Sequence, residues 1–186
     1  MSEPLIPTPS QTVGPYFSIG LAWLERADLC DPEEVGPRFT IAGRVLDGAG
    51  APVEDAVLEP WRAGPSGRFP EGASGPSLAG FGRIATGPDG AFTFTTVKPG
   101  RVPGPEGTFQ APHLAVNIFM RGLLRHLVTR IYFPDEGEAN AADPVLCLVE
   151  PSRRATLVAR PDPGRPSALH FDVVLQGSRE TVFFDC

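Results

Sequence analysis

Glycine and proline limit this chain more than any other feature: 21 Gly and 22 Pro among 186 residues make nearly a quarter of the sequence a punctuation of regular structure. That is about twice the usual share of the two residues. No long helix survives such spacing, because a proline removes an intrahelical hydrogen bond and a glycine costs backbone entropy. Disorder is not the alternative, since 41% of the residues are hydrophobic and 12 are Phe, enough apolar surface to close a core. One globular domain of short strands and many turns is expected.

Charge and cysteine content narrow the partners. A net charge of -6, with a single Lys (Lys98) and scattered arginines, argues against a nucleic-acid footprint. No apolar run reaches membrane-helix length, and the first residues, MSEPLIPTPSQT, carry neither a basic nor an apolar leader region, so a cytoplasmic protein without membrane contact is expected. Cys30, Cys147 and Cys186 have no metal-type spacing and read as reduced thiols. Small molecules or proteins are the expected partners.

Residues 1–38 show no period; six Pro and Gly between 4 and 20 make an extended arm, with a helical turn near 21–27. From Phe39 the texture alternates, with Phe39, Ile41, Gly43 and Val45 on one face, a turn at 47–50, and a second strand over 53–61. The stretch 63–80 is a long loop. Residues 81–86 and 91–97 around Gly87-Pro88-Asp89-Gly90 read as a hairpin in which Phe92 and Phe94 share a face. A second loop spans 98–111. Two alternating runs follow, one with Leu114, Val116, Ile118 and Met120, the other with Leu127, Thr129, Ile131 and Phe133; both predict central strands. Helical turns are expected within 135–142 and 152–159, a short buried run at 145–149, and a last strand through Leu169, Phe171, Val173 and Leu175. Seven or eight such strands predict an all-β sandwich with long loops and at most one or two short helices.

Among chemical signatures, phosphate-binding loops are absent and no serine sits in a GxSxG elbow. Of the three histidines, only His170 has a polar residue, Asp172, at the i+2 spacing that puts two side chains on one strand face. A surface pair is the plainer reading of those two.

Five segments are more specific: SQTVGPYFSIGL (10–21), GRVLDGAGAPVEDAVLEPW (43–61), GFGRIATGPDGAFTFTTVKPG (80–100), APHLAVNIFMRGLLRHLVTRIYF (111–133) and LHFDVVLQGSRETVFFDC (169–186). Together they resemble the intradiol ring-cleavage dioxygenases over nearly the whole length, the arm and the TRIYF strand being the most discriminating parts. The resemblance implies a prealbumin-like β-sandwich over 39–186 and an arm, 1–38, that contacts a partner chain. It also implies a non-haem Fe(III) held by two Tyr and two His on a beta chain. Laid on that pattern, KPGxYP falls on 98–103 with Val102 at a Tyr position, PxHxH falls on 112–116 with Leu114 and Val116 at the His positions, and the loop 67–80 contains no Tyr. No metal ligand and no catalytic residue are therefore expected on this chain. It would act as the alpha chain of alpha–beta pairs in a hetero-oligomer, with Fe(III) on the beta chain and with protocatechuate and O2 as substrates. The product would be 3-carboxy-cis,cis-muconate.

The same resemblance puts Thr12, Gly14, Pro15, Tyr16 and Arg130 in the substrate pocket. Protocatechuate is an anionic benzoate, which a guanidinium fork suits, and Gly14-Pro15 offers a rigid backbone edge. The plainer readings are a strand salt bridge for Arg130 and simple interface packing for Tyr16. A prealbumin-like binding module without an enzymatic partner, and a self-sufficient catechol dioxygenase, remain as alternatives.

Overall fold

The computed structural model describes residues 6–14, 16–69 and 79–185. In chain order its elements are α1 (Tyr16–Ile19), β1 (Arg38–Leu46), β2 (Val57–Trp61), β3 (Ile84–Ala85), β4 (Ala91–Val97), β5 (Val102–Pro103), β6 (Phe109–Gln110), β7 (His113–Phe119), β8 (Leu127–Tyr132), α2 (Gly137–Ala141), β9 (Arg160–Asp162), β10 (Arg165–His170) and β11 (Val173–Val174), with short 3-10 turns between them. The expected all-β sandwich is present, and neither α-helix exceeds five residues.

Two sheets face each other. In the first, β1 pairs antiparallel with β4 (Ile41 opposite Phe94) and parallel with β10 (Ile41 opposite Leu169) and β11, while β9 closes the edge. The second runs β3-β2-β7-β8, all antiparallel, with Leu58 opposite Ile118 and Val116 opposite Thr129. Alternation within each strand sends Ile41, Val45, Phe92, Phe94, Leu58, Leu114, Val116, Ile118 and Ile131 into one core between the sheets. Each such large side chain contributes roughly 1.5–3 kcal/mol when withdrawn from water. The inner face of β1 comes so near its neighbour that a Cβ at Gly43 would stand 1.7 Å from the Phe171 carbonyl oxygen; only glycine fits there.

Several sequence expectations need correction. The segments 81–86 and 91–97 do not form a hairpin: β3 pairs with β2, and β4 pairs with β1. The Gly87–Gly90 turn instead carries the chain from one sheet to the other, because its local geometry reverses direction without choosing a pairing partner. The strand expected over 53–61 begins only at Val57. The helical turn near 21–27 is a 3-10 turn at Ala22–Leu24, and that within 152–159 is one at Arg154–Leu157. The run 145–149 is only partly buried: Leu146 and Val149 pack inward, whereas Leu148 is 86% exposed.

A second, smaller core lies on the outer face of the β3-β2-β7-β8 sheet. There Ala111 and Tyr132 pack with Leu146, Val149 and Leu157, and Phe184 closes over them. The last residues are fixed by a bridge from Phe184 to Val128. The arm is fixed by Arg62, whose buried guanidinium grips Glu34 and the Leu29 carbonyl. On that sheet face a cleft remains between Phe184 and the arm residues Gln11 and Val13.

Candidate functional site

The cleft has a volume of about 390 Å³ and is walled by Gln11 and Val13 of the arm, Phe119 and Val128 of the sheet, His126 and Phe184. Strand alternation explains its floor. On β7 the odd-numbered residues His113, Ala115, Asn117 and Phe119 point away from the main core, and on β8 their cross-strand partners include Tyr132, Arg130 and Val128. Arg130 stands two positions from Val128 on the same face, with its guanidinium 5.9 Å from the Phe184 ring centroid.

Arg130 is held by neutral partners. Its Nη1 donates to Gln110 Oε1 at 2.8 Å and to the Tyr132 hydroxyl at 3.3 Å. Among the described residues it has no carboxylate partner, so the plain salt-bridge reading does not apply, and its Nε and Nη2 make no hydrogen bond there. Tyr132 in turn donates its hydroxyl proton to Asp143 Oδ1 at 3.1 Å. The buried Asp143 carboxylate also accepts from the amides of Ala111, Val145 and Leu146, which pins the 143–146 segment to the start of β7. An Asp143–Tyr132–Arg130–Gln110 chain therefore fixes a guanidinium beside Phe184, a residue of the cleft wall, with part of its fork free.

The arm residues behave differently. Thr12 Oγ1 accepts from the Gly122 amide at 2.9 Å, which ties the arm to the β7–β8 turn. Gly14 is exposed, a Cβ there would meet nothing within 4 Å, and its carbonyl accepts from the Phe17 amide. Tyr16 is 79% exposed and so is not packed within this chain. Pro15 lies outside the described residues, as do loop residues 70–78 and Cys186. Thr12 and Arg130 are thus brought to one surface, but no hydrogen bond or ring contact joins Arg130 to Thr12, Gly14 or Tyr16 among the described residues.

The metal question turns on β7. Leu114 and Val116, given the His positions by motif register, are 0% and 1% exposed and belong to the main core. The face of β7 that borders the outer side carries His113 and Ala115 instead. His113 Nδ1 lies 2.7 Å from the Ala111 carbonyl oxygen, so Nδ1 carries the proton and Nε2 is the free acceptor. Burial, aided by the nearby Arg130 charge, pushes the His113 pKa down to about 4, which keeps the ring neutral.

One neutral histidine is not a ferric site. Ala115 offers no donor atom, Arg130 is a cation, and burial pushes the Tyr132 hydroxyl well above the ordinary phenol range, away from the phenolate that iron takes. These residues do not fit Fe(III). The other pair noted in the sequence, His170 and Asp172, forms a surface contact, His170 Nε2 to Asp172 Oδ1 at 2.8 Å, with Arg160 on the same carboxylate. Sequence reasoning missed Gln110, Tyr132 and Asp143 as the supports of Arg130. The i, i+2 spacing of Arg130 and Tyr132 in TRIYF is a readable signal; Asp143 arrives from a loop and leaves none.

Residues 13–177 match the sequence profile of a protein family described as Dioxygenase. The chain is 47% identical over 194 residues to the protocatechuate 3,4-dioxygenase alpha chain of Burkholderia cepacia, covering 96% of both proteins. It is 30% identical over 162 residues to the beta chain of the same organism, covering 80% of this chain and 68% of that one. Among solved structures, the dioxygenase domain of a dioxygenase carbohydrate-binding protein fusion from Streptomyces sp. SirexAA-E matches with a TM-score of 0.64 and 30% identity, over 95% of this chain and all of that one.

Proposed function

This chain belongs to the intradiol ring-cleavage dioxygenase family, and from that premise we propose that it serves as the alpha chain of a protocatechuate 3,4-dioxygenase, completing the substrate pocket of an iron-bearing beta chain. The observation that carries the reading is Arg130: a guanidinium fixed by Gln110 and Tyr132, without a carboxylate partner among the described residues, beside Phe184, whose ring lines the cleft. Protocatechuate brings the missing anion. The free edge of the fork can hold its carboxylate while the catechol end projects toward the partner.

The rest of the cleft suits an aromatic ring. Phe119, Val128 and Phe184 exclude water on one side, and the bare backbone at Gly14 lets a ring edge approach the arm closely. Tyr16, exposed in this chain alone, gains a partner when a second chain packs against the arm. The ferric ion and its chemistry belong to the beta chain; this chain supplies shape, positive charge and water exclusion. The reaction cleaves the ring of protocatechuate with O2 between its two hydroxylated carbons.

The closest rival is a self-sufficient dioxygenase, which the donor set around His113 opposes. Reconstitution is the test. Separately purified alpha and beta chains are each expected to show little or no ring cleavage of protocatechuate, and the mixture to recover it with the mass of an alpha–beta assembly. Full activity from the beta chain alone would overturn the proposal.

A further inference from the structure

Helix α1, Tyr16–Ile19, is a single turn, too short to hold its own shape in water, yet its Phe17 amide ties down the Gly14 carbonyl. Its anchor is Arg83. This residue sits directly before β3, is 5% exposed, and faces Glu59 on β2, to which its Nη1 donates in an ion pair. Its Nη2 donates to the Phe17 carbonyl at 3.0 Å, and its guanidinium lies 4.4 Å from the Phe17 ring centroid. The Phe17 ring packs in turn on Phe119 of the cleft wall at 5.0 Å. The main chain of Arg83 is also paired with Arg26, amide to carbonyl in both directions, at 3.0 and 2.8 Å.

One buried arginine thus holds the arm twice, before and after the 3-10 turn at Ala22–Leu24. We infer that Arg83 is a positioning residue for substrate binding: it locks Phe17, and through it Gly14, whose carbonyl accepts from the Phe17 amide, onto the sandwich, so that the arm is already in place when substrate arrives. The inference rests on the reading that this arm borders the partner's pocket. Its physical content is a population: when only a fraction of molecules hold the arm docked, the apparent dissociation constant rises by the inverse of that fraction. Chemistry in the docked fraction is untouched.

The experiment uses the assembled alpha–beta enzyme with Arg83→Ala and Phe17→Ala. Phe17 is half-buried and belongs to neither core cluster, so the second variant removes the ring contacts to Arg83 and Phe119, while keeping the carbonyl that Arg83 grips, without opening the sandwich. Both variants are expected to raise KM for protocatechuate by about tenfold with kcat within about twofold, and to speed hydrogen exchange at the Phe17 and Gly20 amides by about tenfold. Arg83→Lys, which keeps the charge beside Glu59 but not the fork that reaches Phe17, is expected to fall between wild type and alanine. Should Arg83→Ala fail to assemble, Phe17→Ala decides alone. An unchanged KM in Phe17→Ala, or a loss confined to kcat, overturns the inference. A wild-type assembly that does not cleave protocatechuate defeats the functional reading instead, and amide exchange then still reports whether Arg83 holds the arm.

Discussion

Replacing Arg130 with alanine in the assembled enzyme is expected to lower kcat/KM for protocatechuate by about tenfold to a hundredfold, and that for catechol by less than about threefold. The difference between the two substrates is one carboxylate. A charge-assisted hydrogen bond to a fixed guanidinium is worth roughly 1.5–3 kcal/mol, and only the substrate bearing the anion can collect it. The Asp143–Tyr132 pair holds the guanidinium in place before substrate binds, so little ordering cost offsets the gain. Lysine at the same position keeps the charge, loses the planar fork, and is expected to recover part of the discrimination. Equal losses for both substrates would mean that Arg130 acts only by supporting Gln110 and Tyr132. Steady-state kinetics with the two substrates separates the outcomes.

The largest effect on stability is expected at the other end of the arm. Arg62 is 2% exposed, and both oxygens of Glu34 accept from its guanidinium, at 2.7 and 2.5 Å. Its remaining donors go to Thr96 Oγ1 and the carbonyls of Ala63 and Leu29. Glu34→Ala leaves a buried cation without its counter-charge, which costs about 3–5 kcal/mol, or a fall of about 10 °C in Tm for a domain of this size. A double replacement, Glu34→Leu with Arg62→Met, removes both charges and is expected to recover much of the loss. Thermal or urea unfolding measures both. A loss below about 1 kcal/mol in Glu34→Ala would place the pair with exposed ion pairs, whose contribution is small.

What the sequence made legible follows from the range of each signal. Period-2 alternation is local, and it marked β1, β4, β7 and β8 together with the residues they bury. Sheet membership is not local: nothing in 165–174 announces that β10 and β11 run parallel to β1, and nothing in the Gly87–Gly90 turn shows that it crosses between sheets. The same limit applied to the site. The arm and Arg130 could be picked out because they lie in distinctive motifs. Gln110 and Asp143, which aim Arg130 through Tyr132, come from separate loops and meet only after folding. The short pattern at 112–116 fixes spacing, which decides that Leu114 and Val116 share a strand face, without fixing that this face looks into the core.

The central claim is a division of labour: this chain shapes the pocket and its partner holds the iron. The visible absorption spectrum and iron content of this chain, purified alone and again after co-expression with its beta chain, test it most directly, because Fe(III) bound by tyrosinates absorbs visible light. The account predicts a colourless, iron-free, inactive chain alone and a coloured, iron-containing, active complex. A coloured, iron-loaded assembly of this chain by itself would contradict it.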